Sequence, residues 1–299
     1  MASIICGSLA FDTIMNFEGR FAEQILPDQL HILNVSFLVP ALRRDFGGCA
    51  GNIAYALKAL GGQPLPMATV GADGRDYIER MKRLGIATDY VREVGDTYTA
   101  QAMIMTDRDN NQITAFHPGA MMQAHRTRIE ARPDVKLGII SPDGRDAMLE
   151  HSEQFAALGI PFVFDPGQGL PMFDGPDLAG FVERASWVTV NDYEGKMLCE
   201  RTGWDNAEIS RRVQALIVTL GADGCEVWRD GERVHVPPVV ADAVVDPTGC
   251  GDAWRGALLH GLEQGWDVAR CASLGNRVGA IKIASRGPQN YSLQGVAAR

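Results

Sequence analysis

The chain has 299 residues and carries 28 basic against 37 acidic side chains, a formal net charge of -9. This balance argues against nucleic acid or an anionic membrane surface as a main partner, so any phosphate site must be built from amides, a metal or local charge. Six cysteines (Cys6, Cys49, Cys199, Cys225, Cys250 and Cys271) are scattered with no C-x-x-C pair, which argues against a zinc ribbon or a disulfide framework and fits a reducing cytosol.

Residues 1–7 carry no basic leader and no apolar run approaches the length of a membrane span, so a cytoplasmic location is expected. Residues 3–9 predict a first strand, running on to the carboxylate of Asp12. The stretch 12–46 holds no convincing long helix. Residues 51–60 predict a helix with Ile53, Leu57 and Leu60 on one face, ended by Gly61-Gly62. A strand at 66–70 and a helix at 75–84 follow. Residues 97–106 and 112–117 then predict a hairpin about an Asp-Asn-Asn turn at 107–111. Further strands are expected at 137–141, 161–165, 187–191, 216–220 and 243–246, with helices at 145–158, 192–202 and 269–284. Strands alternating with helices predict a mainly parallel sheet, and no repeat or linker divides the chain, so residues 1–299 read as a single domain.

The most informative segment is Asp246-Pro247-Thr248-Gly249-Cys250-Gly251-Asp252. It opens onto a run in which Trp254, Leu258 and Leu262 recur at i, i+4 and i+8, so the loop ends at the start of a helix that buries one face. Backbone N–H groups there lack internal partners and the dipole is positive, which makes an anion site. An aspartate in that place would repel the anion. It makes sense where a neutral hydroxyl must lose a proton beside a phosphoryl group, although a capping aspartate at an ordinary helix start has the same pattern. His117, His125 and His151 show no metal-ligand spacing and are expected at the surface or in the lid.

With Gly47-Gly48-Cys49-Ala50-Gly51-Asn52-Ile53-Ala54 as a second signature, this segment resembles the ribokinase-like (PfkB) carbohydrate kinases, closest to bacterial adenosine and nucleoside kinases. The likeness spans essentially the whole chain. It implies a three-layer α/β/α sandwich with a mainly parallel sheet and a small β-sheet lid from about 12–46 and 97–117. It implies ATP-dependent phosphorylation of a nucleoside 5′-hydroxyl, with a free-sugar kinase and a non-catalytic ligand-binding regulator as the alternatives. A small-molecule acceptor and ATP are the implied partners, and the resemblance is compatible with a homodimer. The common form of the signature has Ala and Phe where this chain has Cys250 and Trp254.

By the same resemblance, Asp252 is the general base, and the amides of Gly249, Cys250 and Gly251 form the anion hole. Asn191 and Glu194 match an Asn-x-x-Glu motif, with Glu194 directed to Mg2+ through water; their spacing fits a helix capping box equally well. Thr219 and Gly221 match the ATP-lining segment. Asp246 and Thr248 match positions that hold a monovalent cation, K+, in many relatives. Asp12, Gly48 and Asn52 match the sugar contacts, and Asp165-Pro166-Gly167-Gln168 closes a strand facing the same cleft. A base needs a flat apolar slot beside the ribose, for which Phe11, Phe37, Phe116, Met121 and Met122 are the candidates.

Overall fold

A computed structural model of the chain describes residues 1–25, 31–32, 34–109 and 111–296. Positions 26–30 and 33 of the 12–46 stretch, and position 110 of the expected turn, lie outside the described residues.

The central strand β1 (Ala2–Cys6) is buried at every position, as a strand covered on both faces must be. It pairs in parallel with β4 (Gln63–Gly71) and β8 (Val135–Ile140). Beyond β4 lies β5 (Val91–Val94); beyond β8 come β9 (Phe162–Phe164), β10 (Trp187–Asn191) and β11 (Ala215–Thr219), all parallel. An antiparallel hairpin of β12 (Cys225–Arg229) and β13 (Glu232–Val236) extends the sheet to the order β13-β12-β11-β10-β9-β8-β1-β4-β5.

Successive strand residues point to opposite faces, so the sheet builds two cores. Ile5 joins α2 (Cys49–Ala59), α3 (Arg75–Arg83), α8 (Cys250–Glu263) and α9 (Val268–Ile283) through Leu57, Met81, Leu258 and Cys271. Ile4 and Cys6 face α4 (Arg145–Ala157), α5 (Gly175–Arg184), α6 (Asp192–Thr202) and α7 (Asn206–Ser210) through Phe155, Phe181, Leu198 and Ile209. The result is the expected three-layer α/β/α sandwich. Among the described residues no helix is long and apolar enough to cross a membrane.

A second sheet stands apart from the first. It consists of β2 (Ala10–Asn16), β3 (Ala41–Gly47), β6 (Ala100–Thr106) and β7 (Gln112–His117) in the order β3-β2-β6-β7, with the single helical turn α1 (Phe21–Gln24) between β2 and β3. The predicted hairpin is β6–β7.

Four expectations change. The first strand ends at Cys6 and does not run on to Asp12, which lies on β2 of the second sheet. Residues 243–246 are not a strand: no strand lies beside them, Val244 and Val245 are 78% and 50% exposed, and the amides of Val245 and Asp246 donate to the Ile283 carbonyl. That apolar run is a connector laid on the end of α9. Conversely β5, β12 and β13 form where no strand is predicted; β5 and β13 are the two edge strands and are largely exposed, with little apolar signal. His151 is buried in α4, its Nε2 2.8 Å from the Thr127 carbonyl oxygen, rather than at the surface.

Leu258 on α8 is fully buried and Leu262, one turn on, is partly buried. Leu258→Ala is expected to lower the unfolding free energy by about 2–5 kcal/mol. Leu262→Ala should lose less, an order that denaturant titration of the two variants checks.

Candidate active site

The site gathers at the start of α8. Gly249 has φ +77°, and a Cβ there would meet Pro288 Cβ at 2.6 Å, so only glycine fits the turn. Thr248 donates its amide to Asp246 Oδ1 at 2.9 Å, and Cys250 donates its own to the Pro247 carbonyl at 3.1 Å. The Cys250 amide, expected as an anion donor, is therefore spent in closing the loop. The amides of Gly249, Gly251 and Asp252 have no acceptor among the described residues and lie at the positive end of the helix.

Asp252 sits in the first turn of α8 and accepts a 2.8 Å hydrogen bond from Asn52 Nδ2 on α2. Asn52 Oδ1 in turn accepts from Gln289 Nε2 at 3.0 Å, and the same nitrogen lies 2.9 Å from the Tyr77 hydroxyl, which donates to the Gly47 carbonyl at 2.7 Å. Arg80 fixes Gln289 through its carbonyl at 2.8 Å. This chain runs from the helix start to the strand that enters α2. Burial raises the Asp252 pKa above the ordinary carboxylate value, with the Asn52 hydrogen bond and the Arg255 charge opposing it. Gln289 carries no recognisable sequence signal.

On the acceptor side, Gly48 has φ +84°, and a Cβ there would strike the Ser8 carbonyl oxygen at 2.5 Å. Register places Asp12 opposite Asp45 on one side and Ala102 on the other, with Phe116 beyond Ala102. Paired residues share a face, so Phe116 projects on the same side as Asp12 and is 53% exposed. Phe11, its strand neighbour, points the other way: it is buried against Phe46 and Tyr77, with the Arg44 guanidinium 3.6 Å from its ring. Phe37 packs edge-on against Phe17 and Phe21. Neither Phe11 nor Phe37 is free to line a base slot; Phe116 and the exposed Met122 remain, with Met121 partly buried beside it. Burial raises the Asp12 pKa to about 6, helped by the neighbouring carboxylates of Asp45, Asp252 and Asp246 and opposed by Arg43.

At the carboxyl ends of β10 and β11, where ligands bind to open α/β sheets, Asn191 and Thr219 are paired neighbours. Asn191 Oδ1 accepts the Glu194 amide at 2.7 Å and Glu194 Oε2 accepts the Asn191 amide at 2.8 Å, a complete capping box. Gly221 begins the exposed turn after β11 at φ +58°. Between the two halves Arg255 lies 2.6 Å from Asp165 Oδ2 and 3.9 Å from Glu194 Oε2. Arg255 joins the candidate site without a sequence motif to announce it, although a lone arginine inside Ala253-Trp254-Arg255-Gly256-Ala257-Leu258 is a visible anomaly. Among the described residues no group of three or more His, Cys, Asp or Glu is arranged to hold a metal ion. A single carboxylate near phosphates suits Mg2+, which keeps most of its water.

Residues 11–294 match the family described as pfkB family carbohydrate kinase. The chain belongs to that family. It is 30% identical over 293 residues to a nucleoside kinase of Methanocaldococcus jannaschii, covering 97% of this chain and 93% of the relative. It is also similar to the nucleoside kinase of Burkholderia thailandensis. The structure in complex with inosine shares 53% identity at a TM-score of 0.88, over 99% of this chain and 96% of that one. The structure in complex with ADP-inosine shares 56% identity at a TM-score of 0.85, over 97% of this chain and 91% of that one. This pfkB-family protein is a kinase that phosphorylates a hydroxyl group.

The kinase's buried ion pair sets a test. Burial raises the Asp165 pKa to about 7 even with Arg255 opposing it, and both residues are more than nine-tenths buried. Removing Arg255 as Arg255→Met leaves Asp165 uncompensated and is expected to lower stability by roughly 3–5 kcal/mol, part of which Asp165→Leu in the same chain should restore. The folded-state pKa lies above the unfolded value, so the native state holds its proton more tightly and the penalty in Arg255→Met should grow as pH rises from about 5 to about 8. Urea titrations of wild type, single and double variants at the two pH values check both statements.

Proposed function

We propose that this kinase transfers the γ-phosphoryl group of ATP to the 5′-hydroxyl of a nucleoside. The observation that carries the reading is Asp252: a carboxylate in the first turn of a helix with free amides, held at 2.8 Å by Asn52 from the acceptor side. Asp252 takes the proton of the attacking hydroxyl, and its raised pKa brings it nearer to neutral pH, where a general base works best. The amides of Gly249, Gly251 and Asp252 stabilise charge on the phosphoryl group as it passes.

Asp12, Gly48 and Asn52 hold the ribose, Asp12 accepting from its vicinal hydroxyls. Phe116, on the same face of the small sheet, offers a ring to the base. Asn191, Thr219 and Gly221 line the nucleotide side, and Glu194 is the carboxylate directed to Mg2+. Bound with ATP, Mg2+ would neutralise charge on the phosphates. The small sheet of β2, β3, β6 and β7 serves as a lid that closes over the acceptor. A nucleoside acceptor is supported by the Burkholderia thailandensis nucleoside kinase, whose structures, at 53% and 56% identity, are in complex with inosine and with ADP-inosine.

Asp252→Asn keeps the shape and removes the proton acceptor, so kcat is expected to fall on the order of 10²-fold or more, with the unfolding midpoint and ATP affinity nearly unchanged. Near wild-type turnover would remove Asp252 as the base. The acceptor itself is decided by kcat/KM for inosine, adenosine, cytidine, ribose and fructose. One stacking contact from Phe116, worth roughly 1–3 kcal/mol, places the best nucleoside about tenfold or more above ribose. A free sugar at the top would overturn the nucleoside assignment while leaving the kinase intact.

A further inference from the structure

Directly behind the phosphate-facing loop lies a charge that the reaction above does not use. Lys282, in the last turn of α9, is fully buried, and its Nζ donates to the Asp246 carbonyl at 2.7 Å and to the Ser285 carbonyl at 3.2 Å. Those two carbonyls belong to the two segments that meet under the start of α8. The Asp246 carboxylate is committed as well: Oδ1 accepts the Thr248 amide at 2.9 Å and Oδ2 accepts the Gly287 amide at 2.9 Å. Asp246 and Thr248 are the residues expected to hold K+. As they stand they do not fit one: the Asp246 carbonyl already faces the Lys282 ammonium at 2.7 Å, and a second cation set beside that charge would be repelled.

An ammonium and a potassium ion are similar in size and charge, and both are satisfied by carbonyl oxygens. Lysine supplies the ammonium as a compact point charge on a flexible stem, with three donors to aim. A buried lysine head group is costly unless it is paired. Burial does lower the Lys282 pKa, with the nearby Cys250 and Asp246 opposing the change. What keeps it there is the pair of carbonyls.

We propose that the Lys282 ammonium is a built-in replacement for a monovalent cation, clamping the Asp246 and Ser285 segments so that the loop at 246–252 keeps its phosphate-binding shape without K+. The inference deepens the kinase reading, since it rests on that loop being the phosphate site. The lysine is a positioning residue; it touches neither substrate.

Wild-type turnover of ATP and inosine should be equal in potassium, sodium and tetramethylammonium chloride at constant ionic strength. Several-fold activation of wild type by K+ would overturn the proposal without any variant. Lys282→Ala leaves a carbonyl-lined space, and in tetramethylammonium its turnover should fall roughly tenfold or more, the scale of losing a charged hydrogen bond. Potassium or ammonium chloride should restore much of that loss with saturation. Lys282→Met fills the space without charge and should lose turnover without being restored.

A second readout needs no turnover. The unfolding temperature of ligand-free Lys282→Ala should rise with KCl or ammonium chloride but not with tetramethylammonium chloride, and that of wild type should respond equally to all three. A Lys282→Ala protein that is impaired but indifferent to K+ and ammonium in both measurements would make Lys282 a packing residue and overturn the proposal. If the chain phosphorylates no acceptor at all, the kinase reading fails, and the thermal comparison still decides whether a cation replaces the lysine.

Discussion

The contact that the site depends on is the close approach of α2 and α8 at Gly256. A Cβ on Gly256 would meet Ala56 Cβ at 2.5 Å and the Ile53 carbonyl oxygen at 2.9 Å, so any larger residue would push the helices apart. One turn earlier on each helix, Asn52 and Asp252 stand in the same relation and make their 2.8 Å hydrogen bond. Helix residues four apart lie on one face, so the Ala56–Gly256 contact sets the distance at Asn52–Asp252. Asn52 sits with the acceptor-side residues of α2, whereas Asp252 opens the helix that presents free amides. A glycine buried in a helix-helix contact therefore joins the two halves of the candidate site. The intrinsic helix penalty of glycine, about 1 kcal/mol, is small beside the geometry it permits.

Charge is the second constraint. Asp12, Asp45, Asp246 and Asp252 are close enough for each of the other three to raise the Asp12 pKa. Asp165 and Glu194 add two more carboxylates around Arg255. Left to themselves, so many acids in one cleft would take up protons. Arg255 holds Asp165 and lowers its pKa from what burial alone would impose, and Arg43 bridges Asp45 at 2.8 Å with Asp246 at 3.9 Å. A cleft of this sign does not attract a bare polyphosphate. On the proposed reading the anion enters on the α8 amides, with Mg2+ offsetting the carboxylates.

Features written in local pattern were legible. The loop at 249–252 could be placed at a helix start because the apolar period begins right after it, and the buried strands could be placed because runs such as Leu216-Ile217-Val218 admit few other states. Features written in long-range contact were not. Gln289 reaches Asn52 across 237 positions and Lys282 reaches Asp246 across 36, and neither residue type announces such a partner. The reading of Phe11 was a different failure. Adjacent strand residues face opposite ways, so once Asp12 is taken as a cleft residue Phe11 cannot also line that cleft. Phe116 survives the same parity rule because register brings it into the Asp12 row.

Glu194 shows why one pattern can carry two meanings. The capping box uses Oε2, on the Asn191 amide, and the second carboxylate oxygen is not needed for it. The capping interaction fixes both rotamer and direction at the carboxyl end of β10, beside Thr219. The proposed role toward a hydrated cation benefits from a carboxylate held that way, since an ordered ligand loses less freedom on binding. Structural and functional readings of Asn191 and Glu194 therefore do not compete. The cap is the means by which a surface-edge carboxylate becomes a fixed one, and Arg255, 3.9 Å away, supplies the balancing charge.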